Sequence, residues 1–116
     1  MNTERLYVVA QCQQPADGEP VRSVITESLD SAVVAWHVKP GQRISPHMHP
    51  SGQDTWTILS GTGQYQLDAE GNTKRIGPGV VVVAHRGEVH GVYNDGVEPL
   101  EFVSVVAPAA SGYEPV

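Results

Sequence analysis

The sequence predicts an all-β fold, a sandwich or barrel of short strands. Two observations carry this. Glycine (12) and proline (9) punctuate the 116 residues at short intervals, and between them lie brief runs rich in Val, Ile, Thr, Tyr and Trp. No helical period of twelve or more residues competes with this pattern.

The elements follow in order. "TERLYVVAQC", residues 3–12, could present Leu6, Val9 and Ala10 on one helical face, and reads equally well as an edge strand. "PADGEP" is a turn, and "VRSVITES" and "SAVVAWHV" are strands. "KPGQRISP" and "HPSGQ" read as turns around the pair His47 and His49. "DTWTIL", "GQYQLD", "VVVVA", "VHGVY" and "LEFVSVVA" supply further strands, separated by "SGTG", "DAEGN", "GPG", "HRGE" and "NDGVEP". Residues 107–116 lack alternation and read as an extended tail. The length favours one domain spanning residues 1–116.

Composition excludes several functions. Hydrophobic residues make up 40% and charged residues 17%, which is a globular balance. The formal charge is −6, without a Lys/Arg cluster. Nucleic acid and anionic membrane surfaces are therefore poor partners, since phosphate neutralisation supplies most of that affinity. No apolar run approaches the roughly 20 residues of a membrane span. The N-terminus carries no basic start and apolar stretch of a signal peptide. Cys12 is the one cysteine. This excludes an intrachain disulfide and suits a reducing cytoplasm.

The chemistry-bearing stretch is "PHMHPSGQD", residues 46–54. His47 and His49 are two apart, so on a strand they share a face. Two inward imidazoles are costly in an apolar core unless they bind something. Alternation along "DTWTILSG" puts Asp54, Trp56 and Ile58 inward and Thr55 and Thr57 outward. In "GEVHGVYN", His90 shares a face with Val92 and Asn94. Three imidazoles and a carboxylate, without sulfur, suit a divalent Fe, Mn, Ni, Cu or Zn ion. Four protein ligands leave one or two coordination positions open. Structural zinc would favour cysteines, and this chain has only Cys12.

These residues fall into two spaced patterns. Residues 41–61 give Gly41, His47, His49, Asp54 and Gly61; residues 79–94 give Gly79, His85, Gly87, His90 and Asn94. The patterns resemble the two motifs of the cupin superfamily, and residues 62–78 separate them by a spacer of the family's short kind. The resemblance implies a double-stranded β-helix, or jelly-roll barrel, of two antiparallel sheets. It implies a metal held by His47, His49, Asp54 and His90, and a homodimer.

The chain departs from the family twice. Asp54 stands at the glutamate place and reaches about 1–1.5 Å less far, one C–C bond. It could ligate directly, act through a water, or orient a histidine. Its neighbour Gln53 competes for the ligand role. His85 stands at the proline place, in a turn. Gln53, Trp56 and His85 are candidate pocket-lining residues. Oxygenase, isomerase and lyase chemistry on a small organic molecule all fit such a barrel. The alternative is a non-catalytic barrel that binds or senses a small ligand, with or without metal.

Overall fold

The structure is a computed structural model and describes residues 4–116. Its described part is almost entirely β, as expected. Ten strands form two five-stranded antiparallel sheets. In chain order they are β1 (Ser23–Glu27), β2 (Ala32–Val38), β3 (Arg43–Met48), β4 (Gln53–Ser60), β5 (Gly63–Gln66), β6 (Thr73–Ile76), β7 (Val81–Ala84), β8 (His90–Tyr93), β9 (Leu100–Ala107) and β10 (Glu114–Pro115). One sheet runs β1-β2-β9-β4-β7 and the other β10-β3-β8-β5-β6. Among the described residues, no helix is long and apolar enough to cross a membrane.

The N-terminal ambiguity resolves toward a single helical turn, α1 (Val9–Cys12), which buries none of its residues. Leu6 is exposed, so the apolar face suggested for "TERLYVVAQC" covers no core; Thr3 lies outside the described residues. The segment "KPGQRISP" is a correction. Its second half is strand β3, disguised by Pro46, which cannot donate to a ladder. The β3–β8 register shifts between Ile44 and His47, and this irregularity accommodates the proline.

Strand β4 shows the expected alternation. Asp54, Trp56 and Ile58 are buried, Gln53, Thr57 and Leu59 are exposed, and Thr55 is half-buried. Side chains of the two inner faces meet in one core. Trp56 stacks on Phe102 at 4.3 Å between ring centroids and takes Tyr65 edge-on at 5.2 Å. Val38, Ile58, Ile76, Val92 and Leu100 complete it. Burying each such side chain contributes about 1.5–3 kcal/mol, and each aromatic pair about 0.5–1.5 kcal/mol more.

Two motif positions turn out to be framework. Gly61 has φ +78°, and a side chain there would collide with the backbone of Pro99. Asn94 is fully buried. Its amide donates to Val38 O and Glu98 O, both at 2.9 Å, and its Oδ1 accepts from Gly96 N at 2.9 Å. The side chain therefore ties the end of β2 to the turn before β9. Asn94→Ala removes all three bonds and orphans buried backbone groups. It should cost about 1–3 kcal/mol, read as a lower midpoint with unchanged slope in urea unfolding.

Candidate metal centre

Each sheet delivers part of one polar cluster into the space between them. His47 on β3 and His90 on β8 are direct cross-strand partners. Their rings lie 4.3 Å apart, centroid to centroid. Asp54 comes from β4, the strand between β7 and β9 in the opposite sheet. His49 lies just beyond the end of β3, and its ring sits 5.2 Å from those of both His47 and His90. One ligand atom from each of the four residues falls within 4.8 Å of all the others. The cluster can hold a metal ion. His47, Asp54 and His90 are buried and His49 is half-buried.

The shortened carboxylate reaches the histidines. Asp54 Oδ2 is 3.0 Å from His90 Nε2 and 3.4 Å from His49 Nε2.

Backbone carbonyls set the tautomers. His47 Nδ1 faces Ser45 O at 2.8 Å, His49 Nδ1 faces Gly112 O at 2.7 Å, and His90 Nδ1 faces Glu88 O at 3.2 Å. A carbonyl only accepts, so each Nδ1–H donates and the Nε2 lone pair is left for another partner. The two motifs also hold each other: Gly87 N donates to His49 O at 3.0 Å.

Electrostatics act on the imidazoles in opposite directions. Burial pulls the His47 pKa down to about 4, with the neighbouring His90 and His49 adding to the shift and the Ser45 carbonyl opposing it. That imidazole is neutral at physiological pH, the form that binds metal. The His49 pKa is raised, chiefly by its interaction with Asp54. For Asp54, burial pushes the pKa up, but His49, His90 and the nearby indole N–H of Trp56 together bring it down to about 2. Trp56 Nε1 makes no full hydrogen bond itself.

The donor set fits a cation. Among the described residues, His49 Nε2 and Asp54 Oδ1 are buried without a hydrogen-bond partner. His90 has an acceptor at both ring nitrogens. Something positive between Nε2 and Oδ2 satisfies that geometry, and a divalent ion would also engage the orphaned atoms.

A cavity of about 260 Å³ opens onto His47, His49 and Asp54. Val34, Trp36, Ile44 and Val106 form apolar walls, and Arg22 and Tyr113 add polar groups. Of the three residues expected to line a pocket, none does. Trp56 lies in the core, with its ring edge-on to His90 at 5.8 Å between centroids. Gln53 points to solvent, as alternation requires opposite an inward Asp54. His85 is exposed in its turn, and its Nδ1 lies 2.6 Å from Glu88 Oε1.

Sequence reasoning missed the contribution of the tail. Strand β10 pairs with β3 at Met48 and His47. Gly112 supplies the carbonyl that orients His49, and the Tyr113 ring lies 5.0 Å from that of His47. Two paired residues and a backbone acceptor leave no periodic signal. Arg22 was also missed, since a lone arginine before a strand carries no motif.

Comparison with known proteins agrees with this fold. A family model for the cupin domain matches residues 34–106. The chain belongs to the cupin family. A protein of known structure, a conserved protein with a double-stranded β-helix domain from Klebsiella pneumoniae, is 45% identical. It superposes with a TM-score of 0.94 over 97% of each chain. A Thermotoga maritima protein described as a predicted oxalate decarboxylase is 27% identical, with a TM-score of 0.62 over 66% of this chain and 65% of that one. Mannose-1-phosphate guanylyltransferase of Escherichia coli is 31% identical over 68 residues, which are 59% of this cupin but only 14% of that enzyme. This cupin thus spans about one seventh of that relative's length.

Single substitutions separate ligands from bystanders. Tag-free protein, analysed by plasma mass spectrometry, should lose most bound metal on His47→Ala or His90→Ala. Asp54→Ala should lose as much as either histidine variant. A loss confined to about 10–100-fold in affinity would instead mark a residue that only orients a ligand.

Proposed function

We propose that this cupin holds one divalent transition metal on His47, His49, Asp54 and His90 and binds or transforms a small organic molecule in the adjoining cavity. The observation that supports it most is the convergence of four ligand atoms beside a cavity with apolar walls. Small-molecule sites take this form, with a few polar groups set in an apolar lining.

The metal, when bound, supplies Lewis acidity to an oxygen of the ligand. The chain's own residues do the rest. Ser45, Gly112 and Glu88 carbonyls hold the three imidazoles in the Nδ1–H tautomer, so no ring must reorient on binding. The Asp54 carboxylate supplies negative charge at low pH cost, since it is already ionised above about pH 2. Val34, Trp36 and Val106 exclude water from one side of the cavity and pack the ligand's apolar part. The open positions expected of a four-ligand site make oxygenase, isomerase and lyase reactions accessible. The likeness to a predicted oxalate decarboxylase supports a role with small molecules. Assembly as a homodimer belongs to the same reading.

Protein loaded separately with Fe(II), Mn(II), Ni(II), Cu(II) or Zn(II) should turn over a member of an aerobic panel of small organic acids, enols and aldehydes. Turnover should vanish in His47→Ala. Ligand binding without turnover in any metal form would favour the sensing barrel. Neither binding nor turnover in any form would contradict the proposal.

A further inference from the structure

The geometry points to Arg22 as an anchor for the carboxylate of a small organic acid, with the acid's apolar body on Val34, Trp36 and Val106. This names the ligand class of the site above and rests on that reading.

Four charged side chains line the cavity besides the histidines: Arg22, Arg43, Glu19 and Asp54. Asp54 is committed to His49 and His90. Glu19 is exposed to solvent. Arg43 is also partly committed, with its guanidinium over the Tyr93 ring at 5.0 Å from the centroid. Arg22 is not. Its ion pair, with Glu27, is at the 4.0 Å limit, and both side chains are about half exposed. Such a pair is weak and readily exchanged.

The cavity therefore has a weakly paired guanidinium in the same lining as His47 and His49. A guanidinium matches a carboxylate with two parallel N–H donors. A bound divalent ion would strengthen the preference for an anion. The walls give the other half of the recognition. Val34 and Val106 are buried, and Trp36 has its indole N–H tied to Ser104 Oγ at 3.1 Å. With that polar group occupied, the ring presents an apolar face. A volume of about 260 Å³ suits a molecule of a few carbons or one ring, not a nucleotide or oligosaccharide.

Benzoate and its neutral counterpart benzyl alcohol test this by isothermal titration calorimetry on zinc-loaded full-length protein. Benzoate should bind, and Arg22→Gln should weaken it about tenfold or more, as loss of a charge-assisted pair implies. Arg22→Lys should recover part of the loss, and benzyl alcohol should bind wild type and Arg22→Gln within about twofold. Metal content measured in parallel should be equal in all three proteins. Failure of wild type to bind benzoate overturns the inference. So does equal affinity in Arg22→Gln, a larger loss in Arg43→Gln, or loss of metal in Arg22→Gln. The same titration on protein with no bound metal separates the two readings: an Arg22-dependent benzoate site that persists there keeps the anchor and removes the metal.

Discussion

A carboxylate buried between two β-sheets sets the terms for the rest of this molecule. Asp54 sits on an interior strand with only 5% of its surface exposed. An isolated charge in that position is prohibitive, so it must be paired or neutralised. The protein pairs it with two imidazoles, and both come from outside its own sheet. Removing one partner of such an arrangement costs more than never building it. The cluster is therefore a constraint on how the sheets face each other.

The core and the cluster share residues. Trp56 stacks on Phe102 to one side and meets the edge of His90 on the other. Strand β4 therefore links hydrophobic packing to ligand placement, because Asp54 and Trp56 are neighbours on one face. The tail adds a second link. It pairs with β3 next to His47 and carries the carbonyl that fixes His49. The family motifs supply the four side chains of the cluster. Their orientation depends on backbone groups at Ser45, Glu88 and Gly112, the last well outside both motifs.

Much of this was legible in the sequence. Period-two alternation placed Asp54 inward and Gln53 outward, because a pleated strand leaves no other choice. Turn residues marked most strand ends, and the motif spacing assembled His47, His49 and His90 from segments far apart in the chain. Strand β3 was less legible, since Pro46 and its bulge mimic a loop. The lining of the cavity was not legible. Trp56 and Asp54 share a face, but that face divides between core and cavity along its length. Only the approach of the opposite sheet, with Tyr65 on β5 and His90 on β8 against Trp56, decides where the division falls. Arg22, Gly112 and Tyr113 act through tertiary approach, which leaves no local pattern.

The central claim is that four side chains from both sheets and a loop converge on one metal ion. A crystal structure with anomalous scattering recorded across the transition-metal edges tests it most directly. The account predicts one peak, with Nε2 of His47, His49 and His90 and a carboxylate oxygen of Asp54 at bonding distance, about 2.0–2.2 Å for zinc. Contradiction would be a site without a peak in metal-supplemented crystals, or a metal held through Nδ1 or by other residues.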